Sequence, residues 1–271
     1  MLDRYPPEGK DRHYYPFPAS IGEFCFPSGI SLKFQPGSPE FFNFNLTDAN
    51  GVYIYGSCLI FDEEPSRALV EKLKQYHVRN LTQVRTIKAI CILSHYSFNA
   101  AFKDILCQLY RMHLSTSRLN LPLERYIINV VDEIPLPDEG KLLVQHELKD
   151  KTASFYRPVD QNPPIIEETD VENLFKCLSV ENIIEIFSYL LLERKVLIIS
   201  EHKALMTQVI NCFNSFLFPF QWKHTMIPIL PNSMTDILEA PFPYLIGIEP
   251  TPKLEQLDIE HEVLCVYLEK N

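Results

Sequence analysis

Glycine is scarce in this chain. Eight glycines in 271 residues is about 3% against a usual ~7%, and none falls in GxxxxGK[ST] or GxGxxG spacing. Without such a loop there is no backbone cradle for phosphates, which excludes nucleotide chemistry of the P-loop or dinucleotide-binding kind. A GxSxG turn for a serine nucleophile is missing as well. No apolar run nears the roughly 20 residues of a membrane span. The opening MLDRYPPEGKDRHYYPFP holds no apolar signal core, so the chain is expected in the cytoplasm. Basic charge is in deficit: 25 Lys and Arg face 35 Asp and Glu, a net charge of -10. That balance argues against nucleic acid and against a polybasic membrane patch as partners. Among the seven cysteines no two form a CxxC pair, and none stands at a metal-type spacing from histidine. They are expected to be reduced, structural thiols, with no metal and no cofactor.

What is present is apolar and periodic. The composition, 46% hydrophobic and 22% charged, is that of a globular chain able to bury one large or two modest cores. Residues 1–20, dense in Pro and Tyr, lack a period and read as an extended segment. Glu23–Phe26 and Ile30–Phe34 flank Pro27-Ser28-Gly29, which reads as a hairpin or a tight bend. Phe42, Phe44 and Leu46 share one face of the run 41–47, and Val52, Ile54, Gly56, Cys58 and Ile60 share one face of the next. Asn50-Gly51 between them is the strongest hairpin signal in the sequence. Pro65–His77 reads as a short helix or an excursion. Ile87–Leu93 reads as a buried strand, with Ser97 as the N-cap of a helix over Phe98–His113. The stripe Phe98, Phe102, Ile105, Leu106, Leu109 and Met112 keeps a 3.6-residue period. Pro122 opens a further helix that ends before Ile134-Pro135.

Between 141 and 170 the composition turns polar. Pro158, Pro163 and Pro164, with Asp150, Asp160, Glu167, Glu168 and Asp170, mark a connector whose flexible part is expected over 149–169. Strand character shows only at 142–148 and 155–156. Beyond it come an apolar helix (Asn182–Glu193), a VLII strand apolar on both faces, and a striped helix ended by Pro219. A short strand at 227–230, a brief helix at 233–238, a buried strand at 244–248 and a last one at 263–268 follow. Strand and helix in alternation make an α/β layer with a mainly parallel sheet. The expected fold is therefore bilobal: an α+β lobe with an N-terminal antiparallel sheet over 1–140, a connector over 141–170, and an α/β lobe over 171–271.

Chemistry is hard to place on this frame. His95, His113, His202 and His224 fall at element ends, where a lone imidazole is usually a capping or surface group. Asp132-Glu133 reads as a solvated helix end rather than an acid/base pair. The chain is not expected to be a bond-making or bond-breaking enzyme.

The stretches YPPEGK, FCFPSGI, FFNFNLTDANGVYIYGSCL, KAICILSHYSFNAAFKDIL, SVENIIEIFSYLLLERKVLIIS and FPFQWKHTMIPILPNSMTDILEAPFPYLIGI are collinear with the DENN domain, which the chain resembles over nearly its whole length. The resemblance implies an upstream, longin-like lobe over 1–140 and a core DENN lobe over 171–271. It also implies a downstream section, absent here, whose loss is expected to leave the second lobe incomplete and open to self-association. As function it implies guanine-nucleotide exchange on a Rab-type small GTPase in membrane traffic, acting on the GDP-bound and nucleotide-free forms. Vesicle or endosomal membranes are then reached only indirectly, through the GTPase. Because the family engages its partner with both lobes, the residues to test are Ser94, His95, Tyr96 and Phe98 in the first, and Glu193, Arg194, Trp222 and His224 in the second. Each has a plainer reading: Phe98 and Trp222 as core, Glu193-Arg194 as a helix end. Two alternatives stand beside exchange: a non-catalytic DENN binding module, and GTPase activation with Arg118 as the charge-stabilising arginine.

Overall fold

Three apolar side chains at 42, 44 and 46 make one face of a strand, and on that face the two halves of the chain meet. The computed structural model describes residues 3–10, 17–47, 52–75, 84–115, 120–159, 165–252, 254 and 263–269. Helix α1 (Ile21–Cys25) precedes β1 (Leu32–Lys33), β2 (Glu40–Thr47), β3 (Tyr53–Glu63), α2 (Arg67–Gln75) and β4 (Arg85–Ser94). The strands pair antiparallel in the order β1-β4-β3-β2. Asn50-Gly51 lies outside the described residues, though Thr47 opposite Tyr53 is the register of a hairpin. Next come α3 (Asn99–Leu114), α4 (Leu123–Ile128) with a π-helical extension to Glu133, and an antiparallel hairpin of β5 (Leu143–Leu148) and β6 (Lys151–Tyr156).

The second half runs α5 (Glu168–Cys177), α6 (Val180–Leu191), β7 (Val196–Ile199), α7 (Lys203–Phe216), β8 (Thr225–Ile227), a 3-10 segment (Asn232–Glu239), β9 (Tyr244–Ile248) and β10 (Leu264–Tyr267). Its sheet is parallel in the order β10-β7-β9-β8. The unbroken VLII run follows from burial on both faces. Val196 and Ile198 pack toward α5, α6 and α7, while Leu197 and Ile199 pack with Leu230, Leu238 and Tyr244 on the other side. Mixed α/β composition with a four-stranded antiparallel sheet in the N-terminal half and a four-stranded parallel sheet in the C-terminal half is the architecture expected from the sequence. No helix of the described residues is long and apolar enough to cross a membrane.

Four local expectations need correction. Glu23–Phe26 is helical, and α1 inserts Phe24 and Cys25 into the core. Ser97 is not a cap: Phe98 occupies the N-cap position of α3 without a side-chain bond, and the Ser94 hydroxyl accepts from the Tyr96 N–H at 3.0 Å instead. The strand at 87–93 is only half-buried. The polar stretch expected as a connector holds the β5–β6 hairpin, whose Leu148, Ala153 and Phe155 pack on Phe98, Phe102 and Ile105 of the α3 region. The strand character at 142–148 is β5 and that at 155–156 the end of β6; the polar outer face of the hairpin hid the rest of β6.

One hydrophobic cluster crosses between the lobes. Phe42, Phe44 and Cys58 of the first sheet share it with Met206, Val209, Ile210 and Phe213 of α7. Polar contacts ride on the same seam. The Thr207 hydroxyl donates to the Asn43 carbonyl at 2.7 Å, and the Asn232 N–H donates to the Pro27 carbonyl at 2.8 Å. Ser28 bonds to Glu249, and Ser233 to Glu23. Lys203 Nζ lies 2.8 Å from Glu249 and 3.2 Å from Glu40. A cation in the first turn of a helix opposes the macrodipole, so those carboxylates are what hold it there. Burial works against the Lys203 charge, but Glu249 and then Glu40 more than offset it, and its pKa sits above the ordinary 10.5. A raised lysine stabilises at all pH values below 10.5 and loses that contribution only as pH climbs through the raised folded value.

Two glycines are fixed by close approach. Phe44 stands opposite Gly56 in the register, and a Cβ at 56 would come within 2.2 Å of the Phe44 ring. At Gly247 it would meet the Pro228 carbonyl oxygen at 2.1 Å. Gly56→Ala is expected to lower stability by about 2 kcal/mol, the usual cost of overpacking, read as a fall in the urea midpoint. Lys203→Met is expected to cost about 2 kcal/mol, below the value for a fully buried pair because Glu40 is open to water. Adding Glu249→Gln to Lys203→Met should recover part of that loss; a strictly additive double variant would mean that the pair does not couple.

Candidate functional site

The direction of α7 decides which surfaces face the same way. Lys203 lies by Glu40 and Thr207 by Asn43, so the C-terminal end of α7 points toward the Thr47 end of β2. Tyr53 pairs with Thr47, and Tyr55 with Ser94, which puts the end of β4 at that same end. α7 runs back along the parallel strands from the exit of β7, so the starts of β7 and β8 lie there too. Both groups of sequence-derived candidates therefore occupy one end of the molecule.

In the first lobe, Ser94, His95 and Tyr96 are half-buried and Phe98 is buried. His95 Nδ1 lies 3.2 Å from the Tyr53 carbonyl; a carbonyl only accepts, so Nδ1 carries the proton. Tyr96 stacks on Phe98 with ring centres 5.7 Å apart. The Arg157 guanidinium sits over the Tyr96 ring, 4.8 Å from its centre, and is held at 2.6 Å by Glu139. Phe98 meets Phe155 edge-on at 5.4 Å, so its part is to support Tyr96 from the core. A pocket of about 40 Å³ opens beside Tyr55, His95, Tyr96 and Arg157. Burial pushes the Tyr53 and Tyr55 phenols up, Tyr55 with help from Tyr53, and both stay neutral at physiological pH.

In the second lobe, Glu193 and Arg194 close α6. The Glu193 N–H donates to the Leu190 carbonyl and the Arg194 N–H to the Tyr189 carbonyl, each at 3.0 Å, the paired bonds of a Schellman motif. That motif needs a left-handed residue just past the helix, usually glycine. Here it is Glu193, at φ 52. Its carboxylate reaches within 3.3 Å of His224 Nε2. His224 stands edge-on to Trp222 at 5.2 Å. Trp222 is buried, with its indole N–H donating to the Thr225 carbonyl at 3.2 Å, and serves as the wall behind His224. Arg194 is exposed, 5.7 Å from the Tyr189 ring centre.

Sequence reasoning missed the residues that most alter this surface. Phe218 and Phe220, between α7 and β8, are 57% and 69% exposed, and Leu192 beside Glu193 is 66% exposed. FLFPFQW gave an available signal: aromatic residues after a helix-ending proline have no periodic core face to join. Arg157 had no signal in its own neighbourhood. Arg118 lies outside the described residues. For metal, the structure brings together what spacing kept apart: the Cys25, Cys58 and Cys91 sulfurs lie within 4.8 Å of one another. The Cys58 and Cys91 thiols pull the Cys25 thiol well down through hydrogen bonds, and burial pushes Cys58 up.

Residues 85–271 match the DENN (AEX-3) domain, and residues 1–61 match the uDENN domain. The chain belongs to the DENN family. DENN domain-containing protein 2B of mouse and of human are each 32% identical to it over 256 residues, 92% of this chain. The chain spans about a fifth of the length of those relatives, 20% in each case. The DENN (AEX-3) match alone covers the end of β4 and the starts of β7 and β8, so all eight sequence-derived candidates fall inside it. Glu193→Gly should relieve the left-handed strain and raise stability by about 0.5–1 kcal/mol, measured as a higher denaturation midpoint. Loss of stability would mean that the Glu193–His224 contact outweighs the backbone cost.

Proposed function

We propose that this DENN chain is a guanine-nucleotide exchange factor for a Rab-type small GTPase. The family match carries the reading, because it takes in both lobes, and DENN proteins are known as Rab exchange factors. No covalent bond forms or breaks on the chain itself. It engages the GDP-loaded GTPase and holds the switch loops away from the phosphates and Mg²⁺ that ordinarily order them. It then grips the nucleotide-free form. By linkage, nucleotide weakens that grip by the factor that the grip weakens nucleotide, and abundant GTP displaces the chain. Vesicle or endosomal membranes are reached through the GTPase.

The geometry supports a two-lobed grip. His95 and Tyr96 on one lobe, and Arg194, Glu193 and His224 on the other, lie at one end of a frame with a shared core. Exposed Phe218 and Phe220 add the aromatic anchors that dominate protein interfaces. The net charge of -10 favours encounter with a basic partner surface.

Release of a fluorescent GDP analogue from a panel of Rab proteins tests this. Acceleration is expected for one or a few members, with a complex that forms without nucleotide and dissolves on GTP. Phe220→Ala and Arg194→Ala should each slow exchange by about 5–30-fold, the kinetic equivalent of about 1–2 kcal/mol at an interface hot spot, with little change in thermal midpoint because both side chains are exposed. Equal binding of loaded and empty GTPase without faster release would replace exchange by a binding module. Faster GTP hydrolysis, lost in Arg118→Ala, would replace it by GTPase activation.

A further inference from the structure

Three cysteines distant in sequence converge inside the first lobe. Cys25 ends α1, Cys58 lies in β3 and Cys91 in β4, directly opposite Cys58 in the register. Their sulfurs are all within 4.8 Å of one another. Cys58 and Cys25 are buried, at 0% and 7% exposure, and Cys91 is half-buried. The Cys91 thiol donates weakly to the Ile92 carbonyl at 3.7 Å, a bond given up when its proton leaves.

We propose that Cys25, Cys58 and Cys91 form a three-sulfur binding site for a soft, thiophilic cation, with cuprous copper as the occupant that fits. Thiolates select soft ions, Cu(I) and Zn(II) foremost. Among the described residues no fourth His, Cys, Asp or Glu joins the group, whereas structural zinc almost always takes four ligands. A monovalent ion content with three sulfurs matches the donors present. The surroundings, with Phe24, Phe42 and Phe44 in the same cluster, are apolar, so a bare thiolate is costly where no neighbouring thiol donates to it. Cu⁺ displaces the thiol protons still present: one proton leaves for each thiolate formed on binding, and no electron is transferred. Bound there, the ion ties α1 to β3 and β4 beside the lobe seam.

The reduced full chain is titrated anaerobically with Cu(I) against a competing Cu(I) chelator. One Cu(I) per chain is expected, with X-ray absorption reporting three sulfur neighbours and a raised thermal midpoint. Cys25→Ser and Cys91→Ser should each weaken binding by more than about 100-fold, the upper range for loss of even an outer-shell partner. Cys177→Ser and Cys265→Ser should leave it unchanged. Circular dichroism separates a lost site from a lost fold, and the absorption spectrum of the unaltered chain does not depend on any variant. Failure to compete with the chelator, binding insensitive to the trio, or a shell containing oxygen or nitrogen overturns the proposal. So does tighter binding of Zn(II) in a four-coordinate shell.

Discussion

Across the seam where α7 lies on β2, the Thr207 hydroxyl donates to the Asn43 carbonyl while Phe42 and Phe44 pack among Met206, Val209 and Phe213. The rest of the structure depends on this contact. β2 is the edge of the antiparallel sheet, and an uncovered edge face would leave apolar side chains in water. α7 is one cover of the parallel sheet and needs apolar partners on its far side. On this face each lobe supplies apolar partners to the other, while Phe98, Ile105 and Phe155 close a core within the first half and Leu197, Leu230 and Tyr244 one within the second. Lys203, held between Glu40 and Glu249, adds direction to a contact that hydrophobic burial alone would leave free to slide.

That direction is what makes a two-lobed surface. With α7 oriented by Lys203 and Thr207, the turn after β4 and the entrances to β7 and β8 come to one end. They are carried by a shared core rather than by a flexible tether. Preorganisation of this kind lowers the ordering cost of binding. Glu193 shows the opposite economy. A left-handed residue with a Cβ is unfavourable there, and glycine would serve the helix end better. Its carboxylate stands beside His224.

Long-range order in this fold was legible where side chains had to alternate or had to be apolar throughout. The faces at 42, 44 and 46, and the VLII strand, gave the two sheets from the sequence alone. The β5–β6 hairpin was legible in part: β5 and the end of β6 showed strand character, but Lys151–Ser154 did not, because its polar outer face reads as a connector. α1 was missed because five residues are too few for a helical period. The candidate site was legible in part. Family likeness pointed to the turn after β4 and the entrances to β7 and β8, and there Phe98 and Trp222 are buried, as their plainer reading as core had it. Phe218 and Phe220 passed unremarked because apolar residues are ordinarily assigned to a core. Glu193 and the three converging cysteines depend on backbone conformation and on contacts between distant segments, which spacing does not encode.

The claim at the centre of this account is that both lobes present one binding end. Amide hydrogen exchange on the chain, alone and with a nucleotide-free Rab partner, tests it most directly. The account predicts protection at 94–98 and at 192–194 and 218–224 together, reversed by GTP. Protection confined to one lobe, or found at the opposite end around Ser200 and Glu249, would contradict it.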